Sequence, residues 1–282
     1  MPEFAAATHP GLKRSNNEDC YETDPMLGLW LVADGVGGHA SGEVASAIVR
    51  QTVKSSLAEG LPLLDCVHQA HQAVLAEIAG SAVDSNMGST IVALAMEDND
   101  YTLVWVGDSR AYLWTGRVLT QLTNDHSQIA MLVEQGVVNY KEARTHPERH
   151  MLTQSLGISA DMSISPGLLQ GRLASGNQIL LCSDGLTDEL EDRDIVAHLV
   201  HNGSLQSRVD ALLQAALDAG GRDNVTVVLV GSRPTQRDVD LESTQETRRI
   251  DGVQRTGSGR QRWKSWVLVV VVAAVAVWAL AS

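Results

Sequence analysis

The sequence predicts an α+β domain in which two β-sheets pack face to face and helices cover both outer sides. Three observations predict it. Short runs rich in Val, Ile, Leu and Trp are bounded by Gly, Asp or Asn, as strands are. Two pairs of longer stretches carry apolar residues at helical spacing. The strand groups alternate with the helix pairs along the chain, which favours packed sheets with helical outer layers. With 282 residues, 44% of them apolar, the chain is long enough for one sizeable domain plus appendages.

The first strand expected is Leu29 to Ala33, inside "LWLVADGVGG". A helix over 42–59 follows, with Ala45, Ile48, Val49, Val53 and Leu57 on one face, and a second over 61–79 with Leu64, Val67, Val74, Leu75 and Ile78; Gly60 and Pro62 separate the two. Strands are then expected at Ser89 to Met96, Thr102 to Val106, Arg110 to Trp114 and Gln178 to Cys182. Helices over about 191–200 and 204–219 lead to Asp218, Ala219, Gly220 and Gly221, which punctuate the entry to a last strand, Val225 to Val230. No short-period repeat is present.

The domain is expected to end near Gly231. Residues 232–264 are polar, poor in large apolar groups and without sustained periodicity, and read as a flexible linker. Residues 265–282, "SWVLVVVVAAVAVWALAS", carry no charge; as a helix they would reach about 27 Å, near the thickness of a bilayer's hydrocarbon core. Arg260, Arg262 and Lys264 precede this run, and Trp263, Trp266 and Trp278 lie near its ends. The expectation is a C-terminal transmembrane helix in the cytoplasmic membrane with the domain on the cytoplasmic side. The N-terminus lacks the pattern of a secretory signal.

The chain carries a formal net charge of −13, but unevenly: residues 1–231 hold 13 Lys+Arg against 29 Asp+Glu, a net −16. Such a domain is repelled by nucleic acid, whose binding rests on many basic contacts to phosphate. Cys20, Cys66 and Cys182 have no metal or redox spacing, and their odd number argues against a secreted disulfide framework. Arg does not stand six positions after any of them, so a cysteine-dependent phosphatase is excluded.

Four stretches place an Asp beside Gly or Asn at a strand tip: "ADGVGGH" (Asp34), "WVGDSR" (Asp108), "CSDGLTD" (Asp184) and "GRDNVT" (Asp223). A fifth, "RSNNED", supplies Arg14, Glu18 and Asp19. Glycine after the acid lets another atom approach the main chain closely. Carboxylates brought together raise one another's pKa, so protons or metal ions must compensate. An oxygen-only donor set selects hard ions such as Mg or Mn over Zn or Cu.

The order "RSNNED", "ADGVGGHASGEVAS", "GST", "VGDSRAYLW", "LTNDHS", "LTQSLG", "LLCSDGLTD" and "GRDNVTVVLV" resembles the metal-dependent protein serine/threonine phosphatases of type 2C in their bacterial form, over about residues 1–231. The resemblance implies a four-layer α-β-β-α sandwich with two central antiparallel sheets. It makes Asp34 the bridging ligand of two Mn2+ or Mg2+ ions and the carbonyl of Gly35 a ligand of the second, while Asp184 and Asp223 complete the first. Glu18 and Asp19 match positions that hold metal-bound waters, and Arg14 matches the arginine that grips the substrate phosphate. His39 matches the histidine proposed as general acid, and Asp108 with Asp184 matches a third, weaker metal site. Residues about 124–160 match a variable flap, expected to be mobile and to select substrates. Val36 replaces the methionine often seen in "DGMGGH". The implied reaction is direct hydrolysis of phosphoserine or phosphothreonine on proteins by metal-bound hydroxide, opposing a cognate Ser/Thr kinase; the alternative is a non-catalytic phosphoprotein-binding scaffold on the same fold.

Plainer readings stand beside these. Taken singly, an Asp-Gly is a turn, Arg14 a solvated charge, Asp108 a turn cap and His39 the end of a loop. "GGHASGEV" has Glu43 where a phosphate-binding loop needs Lys. His68 and His71 lack the companion Glu of a metalloprotease helix and read as solvated or half-buried. "HPERH" at 146–150 and "DVDLE" at 238–242 read as polar surface, and Thr244, Thr247 and Thr256 as spacer or phosphorylation sites.

Overall fold

The computed structural model describes residues 1–37, 41–80, 87–157, 163–201 and 203–232. Strands β1 (Phe4–His9), β2 (Asp19–Asp24) and β3 (Leu29–Gly37) precede helices α1 (Ser41–Ala58) and α2 (Leu63–Gly80). Then come β4 (Met87–Ser89), β5 (Ile91–Glu97), β6 (Asp100–Val106), β7 (Arg110–Trp114) and β8 (Leu119–Gln121), followed by the short helices α3 (Gln128–Glu134) and α4 (Tyr140–Ala143). Strands β9 (Gly167–Arg172) and β10 (Gln178–Cys182), helices α5 (Asp184–Thr187), α6 (Asp192–Leu199) and α7 (Leu205–Ala219), and strand β11 (Val225–Gly231) complete the order.

One sheet runs β1-β11-β10-β7-β8 and the other β2-β3-β5-β6-β9, with β4 paired to β3. The ladders are antiparallel, for example Leu181 opposite Val228 and Val32 opposite Val92. Alternation along each strand divides the core into layers. On β3, Trp30 and Val32 pack between the sheets with Val92, Leu94, Ile179, Leu181 and Val228, while Leu29, Leu31 and Ala33 pack against Val49, Val53 and Val67 of α1 and α2. On the far side Leu180, Cys182 and Leu229 pack against Val209 and Leu212 of α7. The expected sandwich is the one found.

The expected helices and most strands agree to within a few residues. The run Ser89 to Met96 divides into β4 and β5, because Thr90 turns its N–H to the carbonyl of Asp34 at 2.8 Å. Strands β1, β2, β8 and β9 were not expected. Each lies at a sheet edge, with at least one side partly exposed, so its apolar signal is weak. His71 is buried and its Nδ1 accepts from the N–H of Gly157 at 3.1 Å, while His68 is exposed. All three cysteines are free, two of them buried. The expected linker beyond residue 232 and the apolar run 265–282 lie outside the described residues, within which no helix is long and apolar enough to cross a membrane.

Candidate active site

The inter-sheet core ends in acids. Asp34 continues the face of β3 that carries Trp30 and Val32, and Asp19 is its partner across the β2–β3 ladder. Asp34 therefore stands inside β3, three residues before its end, rather than at the strand tip as expected; β3 continues to pair with β4 through Gly35 opposite Ser89. Its backbone is fixed on both sides, N–H to Thr90 Oγ1 at 3.1 Å and C=O accepting from Thr90 N–H at 2.8 Å. Asp184 opens α5 straight after β10, Asp108 sits in the turn between β6 and β7, and Asp223 stands two residues before β11. A cleft of about 630 Å³ is lined by Arg14, Glu18, Asp34, Gly35, Asp108, Asp184 and Asp223. Asp19 is buried and does not line it.

Both Asp-Gly pairs have the same local reason. A Cβ on Gly35 would lie 2.1 Å from the carbonyl oxygen of Gly42 and 2.7 Å from that of Glu18. A Cβ on Gly185 would lie 1.9 Å from the carbonyl oxygen of Asn224. The close approach expected at these glycines is made by the chain's own backbone, and it brings Glu18 beside Asp34 and the Asp223–Asn224 segment beside Asp184.

The loop bearing Arg14 and Glu18 is held by a residue the sequence reading passed over. Asn224 Nδ2 donates to the carbonyls of Pro10 and Asn16 at 2.9 and 2.8 Å, and its Oδ1 accepts from Glu18 N–H at 2.7 Å. The Arg14 guanidinium donates to Asp223 Oδ2 at 2.6 Å. The only available signal was the Asn directly following an acid already singled out.

Arg149 and His150, from the segment expected to form a flap, reach the cleft as well, which corrects the reading of "HPERH" as polar surface. Arg149 and His150 line the cleft; His150 Nδ1 lies 3.7 Å from Asp184 Oδ2 and its Nε2 3.5 Å from Asp188 Oδ2. Ligand atoms of His150, Asp184 and Asp188 all fall within 4.8 Å of one another. A Pro-interrupted polar pentapeptide carries no periodicity, so only its tertiary placement reveals that it lines the cleft. His39 lies outside the described residues.

Burial and mutual repulsion raise several of the carboxyls. Burial, then the neighbouring Asp19 and Asp184 carboxylates, push Asp34 well above the usual carboxylate range. Burial and Asp184 do the same to Asp108. Asp19 is raised to about 7, chiefly by burial, against the lowering pull of hydroxyls from Thr226 and Ser183. Burial raises Glu18 and Asp188 too. Asp19 Oδ1 is buried without a hydrogen-bond partner among the described residues. An orphaned carboxylate oxygen within a cluster dominated by acids fits hard divalent cations.

A family profile described as protein phosphatase 2C matches residues 13–224. The chain belongs to the protein phosphatase 2C family. Among phosphatase 2C relatives, the serine/threonine phosphatase Stp of Listeria monocytogenes is 33% identical over 246 residues, which cover 83% of this chain and 97% of that protein. The serine/threonine protein phosphatase PstP of Mycobacterium tuberculosis is 37% identical over 237 residues, 80% of this chain but 44% of PstP's own length. A crystal structure of the PstP catalytic domain in complex with two manganese ions superposes with a TM-score of 0.72 at 33% identity, covering 82% of this chain and 97% of that one. The phosphatase 2C fold and the enzyme class expected from the motifs both stand.

Proposed function

We propose that the chain is a metal-dependent protein serine/threonine phosphatase that hydrolyses phosphoserine and phosphothreonine. The observation that carries this reading is the convergence, in one cleft, of Asp34 from one sheet with Asp184 and Asp223 from segments that adjoin β10 and β11 of the other. Asp34, the Gly35 carbonyl, Asp184 and Asp223 would hold two Mn2+ or Mg2+ ions, and Asp108 with Asp184 a third. Such ions, when bound, acidify water enough to attack phosphorus near neutral pH and offset the charge on the phosphate. Glu18 and Asp19 orient water at the centre, and Arg14 binds the phosphate oxygens through its forked guanidinium. The Arg14–Asp223 pair is about half exposed, with side-chain exposures of 55% and 37%. Exposed pairs contribute at most about 1 kcal/mol, so transfer of Arg14 to a phosphate dianion is favourable. His39 donates the proton to the departing Ser or Thr alkoxide.

The non-catalytic scaffold reading finds no support in a cleft whose acidic positions are all filled. Hydrolysis is tested by phosphate release from a phosphothreonine peptide. Release should require Mn2+, vanish in excess chelator and return with added Mn2+; full turnover in chelator would overturn the metal mechanism.

We also propose that residues 265–282 tether the enzyme to the cytoplasmic face of a membrane, where it opposes a Ser/Thr kinase. The support is the uncharged run behind Arg260, Arg262 and Lys264. The full chain should sediment with membranes and a chain ending at residue 264 should not; equal partitioning would remove the tether.

A further inference from the structure

We infer that Ser183 and Thr226, neither of them an acid, are positioning residues for the metal centre, because they fix Asp19, the buried carboxylate across the ladder from Asp34. The inference rests on the metal-dependent reading above.

Asp19 Oδ2 lies 2.7 Å from Ser183 Oγ and 2.7 Å from Thr226 Oγ1. In the ionised form that a bound cation requires, Asp19 has no proton to give, so both hydroxyls donate to Oδ2, and the other directions follow. Ser183 Oγ, its proton committed, accepts from the N–H of Thr226 at 3.0 Å. Thr226 Oγ1 in turn accepts from Thr8 Oγ1 at 2.7 Å, and Thr8 Oγ1 accepts from Asn17 Nδ2 at 2.8 Å. Asn17 Oδ1 closes the circuit by accepting from the N–H of Asp19 at 3.2 Å. Each proton has one place to go.

The circuit crosses the sandwich. Asp19 begins β2 in one sheet; Thr8 and Thr226 belong to β1 and β11 in the other, and Ser183 follows β10. Ser183 and Thr226 are both fully buried, and neither lines the cleft. One oxygen of Asp19 is thus committed to the opposite sheet, and the other, Oδ1, is buried without a hydrogen bond among the described residues. A buried acceptor left unpaired is costly, so an orphan Oδ1 whose companion Oδ2 is pinned by two donors is an oxygen kept for a cation or its water. Asp34, the proposed bridging ligand, is the residue directly across the ladder. Without the hydroxyls, Asp19 can rotate and present either oxygen, and the fixed distance between the sheets at this end is lost. Groups that orient metal-binding side chains typically change metal affinity by roughly 10- to 100-fold when removed.

The test is calorimetric titration of Mn2+ into the chelator-stripped full chain, alongside the Mn2+ dependence of phosphothreonine-peptide hydrolysis. Thr226→Val keeps the shape and removes the donor. It is expected to weaken Mn2+ binding about tenfold or more, to leave the peptide KM at saturating Mn2+ within about twofold, and to be rescued by Thr226→Ser. Mn2+ affinity equal to wild type in Thr226→Val, or no rescue by Thr226→Ser, overturns the inference while leaving the phosphatase reading intact. Should Thr226→Val fail to fold, Ser183→Ala is titrated with the same two outcomes. A wild-type chain that neither binds Mn2+ nor hydrolyses the peptide sinks the metal-dependent reading and this inference together.

Discussion

Asp34 occupies a position that an apolar residue would fill if packing alone decided. It extends the inward face of Trp30 and Val32, yet carries a carboxyl that burial and its acidic neighbours push far above its ordinary pKa. Asp34→Asn should therefore have opposite effects on turnover and stability. Mn2+-dependent kcat is expected to fall at least about a hundredfold, while the melting temperature of the chelated protein rises, because an amide escapes the cost of burying a carboxyl that must stay protonated beside Asp19 and Asp184. Steady-state kinetics and thermal melts in chelator check the two halves separately. Gly185 is the converse case, a residue chosen for having no side chain. A methyl group there would lie 1.9 Å from the Asn224 carbonyl oxygen, so Gly185→Ala should cost about 2–3 kcal/mol in urea denaturation, as forced overpacking does.

At the level of elements, the N-terminal loop is ordered by Asn224, the residue just before β11 and some two hundred positions later. Asn224→Ala would leave the carbonyls of Pro10 and Asn16 and the N–H of Glu18 without their partner. Each such bond contributes roughly 1 kcal/mol, so Arg14 should lose its fixed position and the phosphopeptide KM should rise about tenfold with a smaller change in kcat. An unchanged KM would remove the latch. What the sequence revealed follows the same division between local and long-range causes. Helices α1, α2 and α7 were legible because their apolar stripes repeat every turn, and Arg110–Trp114 and Gln178–Cys182 because they are central strands with dense apolar content. Edge strands such as Asp19–Asp24, half polar and paired on one side, carry too little pattern. The acids were legible as motifs. Their neighbours Asn224, Arg149 and His150 were not, since only folding brings them there.

For the molecule as a whole, the acidic cluster sets the pH response. From about pH 4 to about pH 7 the folded chain keeps a proton on Asp19 that the unfolded chain releases near 3.8, and Asp34 and Asp108 are shifted the same way. Stability of the chelated protein should accordingly be greatest on the acid side of that window and decline as pH rises through it. Saturating Mn2+, which favours the ionised carboxylates, should reverse the slope. Denaturation midpoints across pH with and without the ion check the sign; a rising trend in chelator would contradict the burial of these groups. The circuit from Asn17 to Ser183 has a mechanical corollary. Since the acids are contributed by opposing slabs of the sandwich, catalytic output becomes a gauge of how well those slabs are aligned. A cavity such as that left by Leu103→Ala, made in the apolar filling between the sheets, should dull the response to manganese before circular dichroism registers any damage.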